Sequence, residues 1–401
     1  VTGAGRSGTA GGDYVVIYKA GATPRATVSA LATTAKLRYH AALNGFAARL
    51  DAAALAAVRR DPAVARVVPD IRITLESQVP DPVTQLRPPW GLDRIDQHNL
   101  PLDNGYTAPG DGTAVTVYVL DTGLRTTHTQ LTGRVGPGIN YAPHAEDPDD
   151  EDPGDDPGDD PGDDPGDDPG DDPGDEAAWG RSPLERSAAI DPADTSDCNG
   201  HGTHVAGTIG GTTYGVAKAV TIVPVRVLDC EGSGSLSGVI AGVDWVTAQH
   251  SGPSVVNMSL GATSSSATVP LGEAIAASIA HGVAYAVAAG NESSDACDSS
   301  PADVEQAITV AASTSNDHAA DYSNYGSCVD LYAPGSDITS SWYTSDTATA
   351  VLNGTSMATP HVAGVAALVL QATPTATPAQ VRSTLIASAA NGVLSDTMPA
   401  S

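Results

Sequence analysis

Apolar and polar residues alternate in two textures along this chain, and the change falls near Trp90. Before it, short amphipathic pieces follow one another. Tyr14-Val15-Val16-Ile17-Tyr18 predicts a strand over 13–20, and a helical period follows over 25–36. Two strand-like pieces at 37–40 and 45–50 flank an Asn44-Gly45 turn signal. Asp51 stands where it can cap a helix over 52–60, and 64–68 predicts a last strand. The order β-α-β-β-α-β predicts a small α+β, ferredoxin-like sandwich. A unit of about 65 residues buries too little surface to be secure alone, so it is expected to depend on a docked partner.

After Trp90, short apolar runs alternate with Gly-punctuated helical stretches, which predicts an α/β fold with a parallel sheet covered by helices on both faces. The clearest strands are 114–120, 221–228, 254–260, 283–288 and 307–312, and the helices 204–209, 236–249, 271–280, 356–370 and 378–389. The expected organisation is a flexible tail at 1–12, an N-terminal unit at 13–78 and a large unit at 79–401. Inside the large unit, five perfect Asp-Asp-Pro-Gly tetrapeptides run from Asp155 to Gly174. Self-repulsion, Pro and Gly all oppose packing there, so 146–176 is expected to be a disordered surface insertion.

That insertion changes how the charge is read. The net charge is −29, but 18 of the 48 acidic residues lie between Glu146 and Glu176, and without them it would be −11. An acidic balance of this kind excludes nucleic acid and anionic membrane as expected partners, because both need a basic footprint. No run of 18 apolar residues predicts a membrane span. The chain opens on Val1 in a Gly/Ser/Thr-rich tail, so any export signal is expected to be absent from this sequence or already removed. Four cysteines, Cys198, Cys230, Cys297 and Cys328, lack CxxC spacing, which points to disulfides rather than a zinc cage. Three pairings are open from the sequence alone. Disulfides imply an oxidising compartment, hence a secreted, extracellular protein.

Three local sequences carry reactive side chains. Val115 to Leu120 is an apolar strand that ends on Asp121, at the carboxyl edge where parallel sheets place their sites. Asn199-Gly200-His201-Gly202-Thr203-His204 sets an imidazole at a Gly-flanked helix start. Gly354-Thr355-Ser356-Met357-Ala358 sets a hydroxyl at a helix N-terminus, with Thr355 the expected cap, where N–H groups favour negative charge. His201 and His204 lack the Glu of an HExxH zinc motif, and His204 and His361 are expected either to be structural or to support the reactive residues from behind.

Together these motifs resemble the subtilases, in particular the aqualysin and proteinase K branch, over about 89–395 apart from the acidic insertion. The Asp, His, Ser chain order is that of subtilisin itself. Residues 13–77 are similar to the family's inhibitory pro-domain. The resemblance implies a self-processing serine endopeptidase acting on polypeptides, with Asp121 orienting His201, His201 as general base then acid, and Ser356 as nucleophile. Ala288-Ala289-Gly290-Asn291 matches the oxyanion-hole motif and makes Asn291 a donor. Gly232-Ser233-Gly234 and Ser259-Leu260-Gly261 match the strands that grip substrate. The family's further Gly run is replaced here by Ala262-Thr263, and a broad, apolar-leaning specificity is expected.

The resemblance also implies the pairs Cys198 with Cys230 and Cys297 with Cys328. Structural calcium is expected at Asp330 with backbone oxygens of Glu305 and Ala307, and at Asp93, Asp96, Gln97 and Asp103, a set of hard oxygen donors. Residues 71–78 should lie in the cleft like a product, with self-cleavage between Glu76 and Gln85. A monomer is expected. Activity should require neutral His201 and so favour neutral to alkaline pH.

Overall fold

The computed structural model describes residues 12–35, 37–75, 88–142 and 191–395. The expected tail before Gly12, the acidic insertion and the cleavage segment 76–85 lie outside the described residues. In the N-terminal unit β1 (Gly12–Tyr18), α1 (Ala26–Thr33), β2 (Leu37–Tyr39), β3 (Gly45–Leu50), α2 (Ala52–Arg59) and β4 (Val64–Pro69) follow in the order read from the sequence. The sheet order is β2-β3-β1-β4, antiparallel throughout. Asp51 caps α2 by accepting from Ala54 N at 2.7 Å.

Beyond β5 (Arg72–Leu75) lies the large unit, which opens on α3 (Trp90–Ile95). Its main sheet has seven strands: β6 (Thr116–Asp121), β7 (Ile139–Asn140), β8 (Thr221–Arg226), β10 (Ser254–Met258), β12 (Ala284–Ala288), β14 (Ile308–Ser313) and β15 (Leu331–Pro334). Their order is β15-β14-β12-β10-β6-β8-β7 and every pair is parallel. A second sheet has the order β13-β11-β5-β9, where β9 is Ser233–Ser235, β11 is Leu260–Thr263 and β13 is Ser299–Ser300. The strands β16 (Ile338–Ser341) and β17 (Thr349–Leu352) form a hairpin. The run read as one strand over 254–260 is in fact broken at Ser259, where β10 ends and β11 begins in another sheet.

Period-two alternation divides the main sheet between two helical layers. Val117 and Val119 of β6 pack with residues of α4 (His201–Gly210), α7 (Thr355–Ala372) and α8 (Pro378–Ser388). Tyr118 and Leu120 face α5 (Leu236–Gln249) and α6 (Val269–Ala280). Both faces are thus covered from within the unit.

The small sheet is built differently. Val16, Phe46, Leu50 and Val67 pack with Val28 of α1 and Val58 of α2. Val15, Ile17, Ala47 and Val68, on the opposite face, join the cluster that contains Val239, Val243 and Ala274 of α5 and α6. Burial of Val15, Ile17 and Val68 contributes about 1.5–3 kcal/mol each, and only while the units stay docked. Polar contacts fix the orientation. The Asp244 carboxylate on α5 accepts from His40 N at 3.1 Å and from Ala41 N and Ala42 N at 2.6 Å. Asp70 accepts from Ser237 N at 2.8 Å and from its hydroxyl. Arg66 pairs with Glu273 of α6 at 2.6 Å.

Candidate active site

The strand β6 ends on Asp121 between β10 and β8, in the middle of the sheet, and the carboxylate is fully buried. His201 opens α4, and its Nδ1 lies 2.8 and 2.9 Å from the two Asp121 oxygens. An ionised carboxylate can only accept, so this contact places the ring proton on Nδ1 and leaves the Nε2 lone pair available. Among the described residues Nε2 is buried with no hydrogen-bond partner. Gly200 precedes the histidine with φ +113°, and a Cβ there would lie 2.5 Å from the Trp342 ring. Only glycine fits that approach.

Asp197, which the sequence reading passed over, ties this turn together. Its carboxylate accepts from Asn199 N (3.0 Å), Gly200 N (2.8 Å), Thr203 N (2.9 Å) and the Thr122 hydroxyl (3.0 Å). Thr122 Oγ1 in turn accepts from Gly202 N at 3.0 Å. The end of β6 and the start of α4 are therefore locked in one network. An Asp ahead of Asn-Gly is an Asx-turn signal that could have pointed to it.

Ser356 is the second residue of α7 and is fully buried. Its hydroxyl donates to Ser259 O at 3.1 Å, and the Ser259 hydroxyl donates to Ser356 O at 2.9 Å. Those mutual contacts turn Ser259 out of both sheets and join the break after β10 to the start of α7. Asn291 is brought to the same place, where its Oδ1 accepts from Thr355 N at 2.9 Å. The Thr355 N–H thus fixes which end of the Asn291 amide is the oxygen, and so which way the side chain is turned. Thr355 does not cap α7 as expected: the cap position is Gly354, and the Thr355 hydroxyl accepts instead from Gly290 N at 3.2 Å. A tertiary partner has taken the side chain from its own helix end.

Between β9 and β11 runs β5, antiparallel to both. Thr74 pairs with Ser233 and with Gly261, Ile73 with Gly234, and Leu75 with Leu260. Gly232 stands just before β9, with its N–H on Asp229 O at 3.2 Å. The six residues read as substrate-gripping are thus gathered round one extended segment of the chain itself, which runs toward Ser259 and Ser356. Backbone pairing of this kind is β-strand addition.

Residues 112–400 match the Subtilase family, and residues 24–76 match Peptidase inhibitor I9. The chain belongs to the subtilase family. It is therefore of the subtilisin-like serine proteinase class of hydrolases and, with an I9 pro-domain, a zymogen. It is 49% identical over 349 residues to an extracellular serine proteinase of Thermus sp. (strain Rt41A), a match spanning 87% of this chain and 71% of that protein. Identity to alkaline serine exoprotease A of Vibrio alginolyticus is 46% over 355 residues, spanning 88% of this chain and 57% of that one. A crystal structure of a cold adapted subtilisin-like serine proteinase is 46% identical with a TM-score of 0.64, covering 79% of this chain and 97% of that chain. No described helix is long and apolar enough to cross a membrane.

In this subtilase the cysteines are joined as Cys198–Cys230 and Cys297–Cys328, the pairs the resemblance implied. The first bridge ties the turn before His201 to the turn before β9. His204 and His361 are fully buried structural residues: His204 Nε2 lies 2.9 Å from Ile338 O, and His361 Nδ1 lies 2.8 Å from Met357 O. Burial pushes their pKa values down to about 3 and about 4 respectively.

Subtilases commonly bind structural calcium. The set Asp330, Glu305 and Ala307 does not fit that ion here. Arg382 takes both Asp330 oxygens, Nε at 3.0 Å on Oδ2 and Nη2 on Oδ1, and Thr309 N donates to Oδ2 at 3.0 Å. A fixed guanidinium thus supplies the countercharge expected from a cation, and it would repel one. The loop after α3 is of another kind. Asp93 accepts from Asp103 N (3.2 Å) and Asn104 N (2.9 Å), Gln97 Oε1 from Asp103 N (3.1 Å) and Asp96 from Thr107 N (2.6 Å). Burial raises the Asp93 pKa, and the Asp103 and Asp96 charges add to the rise. The donors are hard oxygens, but they are turned onto backbone N–H groups, and no group of three or more acidic, His or Cys side chains among the described residues converges as a metal site.

Proposed function

We propose that this subtilase is a secreted, monomeric endopeptidase that hydrolyses polypeptides by acyl transfer through Asp121, His201 and Ser356. Ser356 Oγ attacks the peptide carbonyl carbon while its proton passes to His201 Nε2, and Asp121 supports the imidazolium. The carbonyl oxygen becomes an oxyanion and accepts from the Asn291 side-chain amide and the Ser356 N–H at the start of α7. His201 then protonates the leaving amine, and water repeats the sequence on the ester to free the acid. Ser233, Gly234, Leu260 and Gly261 hold substrate main chain as an added strand, with Gly232 and Ser259 at its borders. The family likeness implies a broad, apolar-leaning preference, while Ala262-Thr263, in place of the family's Gly run, would narrow the pocket for the side chain before the scissile bond.

The observation that carries this reading is β5. A segment of the N-terminal unit is seated as an extended peptide between β9 and β11, heading for Ser259, whose backbone oxygen accepts from the Ser356 hydroxyl. The same placement supports a pro-domain at 13–78, a catalytic domain at 79–401, and self-cleavage beyond Leu75 between Glu76 and Gln85. Calcium, where bound, stabilises the fold and takes no part in the chemistry. Asp93, Asp96, Gln97 and Asp103 would hold it only by turning from the backbone N–H groups they accept from in this structure.

The test compares the full chain with Ser356→Ala by intact mass and by digestion of an unstructured protein. Wild type is expected to lose about 80 residues from its N-terminus, the span of one small domain, and to digest the substrate. The variant should stay whole and lose on the order of 10⁶-fold in turnover, as subtilisin does without its nucleophile. Two intact and inactive chains would refute the reading.

A further inference from the structure

Asn291 lies on a sharp loop in which Ala289 on one side and Glu292 and Ser294 on the other are bound by a single buried amide. Asn324 is fully buried on the segment between β14 and β15. Its Nδ2 donates to Ala289 O at 3.0 Å and to Glu292 Oε2 at 2.8 Å. Its Oδ1 accepts from Glu292 N and Ser294 N, both at 3.0 Å. Its backbone N–H donates to Gly290 O at 3.0 Å. The residues before and after Asn291 are therefore held by donors and acceptors of one side chain at once. Closure is so tight that a Cβ on Gly290, where φ is +105°, would lie 2.2 Å from Asn324 Nδ2.

The same segment also reaches the nucleophile. The Tyr322 hydroxyl accepts from Gly354 N at 3.1 Å, two residues before Ser356, and donates to Gly335 O at 2.9 Å. From the other side, Thr355 holds Gly290 N and Asn291 Oδ1. Oxyanion stabilisation depends on donors fixed before charge develops, and a displacement of about 1 Å can cost about 10²-fold. Resting on the reading of Asn291 as an oxyanion donor, we propose that Asn324 is the positioning residue of that donor. It acts only through Asn291 and touches no substrate. Both halves of its amide are needed: an isosteric carboxylate keeps the acceptor for Glu292 N and Ser294 N, loses the donor to Ala289 O, and sets a like charge against Glu292.

The experiment uses mature, active-site-titrated enzyme with a soluble peptide substrate and a peptide aldehyde that forms a tetrahedral adduct. The variants are Asn291→Ala, Asn324→Ala, Asn324→Asp and the double Asn291→Ala/Asn324→Ala. Asn324→Ala and Asn324→Asp are expected to lower kcat by about 10- to 100-fold with KM within about twofold, and to weaken the aldehyde in parallel. On the Asn291→Ala background, Asn324→Ala should cost less than about threefold, because the residue it acts through is already gone. The proposal is overturned if both Asn324 variants keep wild-type kcat, or if the loss is the same on both backgrounds. Failure of both to give folded enzyme, as read by calorimetry, would also overturn it by assigning Asn324 to stability alone. If Asn291→Ala itself keeps kcat, the donor reading falls first, and that single variant shows it.

Discussion

The two main sheets of this protein contain the same kinds of residue but differ in what covers them. The seven-stranded sheet has helices of its own unit on both faces, α4, α7 and α8 against Val117 and Val119, α5 and α6 against Tyr118 and Leu120. The four-stranded sheet has its own helices on one face only, and its second face, with Val15, Ile17 and Val68, borrows α5 and α6. One fold is complete in itself, whereas the other is complete only as a complex. An inhibitor that must later be discarded is well served by such dependence, because cutting it free removes half of what holds its sheet.

The largest effect expected from this contrast is on the small unit by itself. Residues 13–78, prepared alone, should show little cooperative thermal unfolding by circular dichroism and should gain it when mature enzyme is added. A sharp transition in isolation would break the comparison. Acid should act on the other unit. His204 and His361 have folded pKa values of about 3 and about 4, below the ordinary imidazole value, so the unfolded chain takes up protons first as pH falls. Their contribution is fully present above about pH 6.5 and is lost as pH drops from there toward 4 and then 3, on the order of a few kcal/mol. Denaturant midpoints of the Ser356→Ala chain at pH 7 and pH 4.5 would measure it, and equal midpoints would contradict it.

A smaller effect is expected at the seam. Asp244→Ala leaves the N–H groups of His40, Ala41 and Ala42 without their acceptor. It should weaken inhibition by added pro-domain by about 10²-fold, at roughly 1–3 kcal/mol for the buried Ala42 N–H left unpaired, the more exposed His40 and Ala41 N–H groups being met by water. Hydrolysis of a small peptide by the mature variant should be unchanged. An unaltered inhibition constant would show that apolar contact alone sets the docking.

Local signals in the sequence carried local structure well. The period of 236–249 and the turn signal before Gly45 located α5 and β3 to the residue, and the Gly-flanked His201 did open a helix. The failures share a cause, which is long-range partnership. Thr355 looked like a cap until Gly290, 65 residues earlier, took its hydroxyl. Asp330 looked like a calcium ligand until Arg382, 52 residues later, claimed both oxygens. Short strands such as β7 and β15 have too few residues to show a period and exist because the sheet edge accepts them. The seam residues Asp70 and Asp244 gave no signal, since their partners lie 167 and 202 to 204 residues away.

The seating of β5 also bears on what the mature enzyme can accept. Once that strand departs, β9 and β11 stand about two strand spacings apart, roughly 9–10 Å, each offering a row of unpaired main-chain groups. Only a fully stretched polypeptide bridges both rows, while a helix or a closed hairpin already spends its own N–H and C=O groups internally. Under the proposed function, the cleft would therefore discriminate by shape of backbone more than by identity of side chain. For a folded target, the speed of digestion would then follow how often that target opens a stretch of its own chain, a property of the victim rather than of the protease.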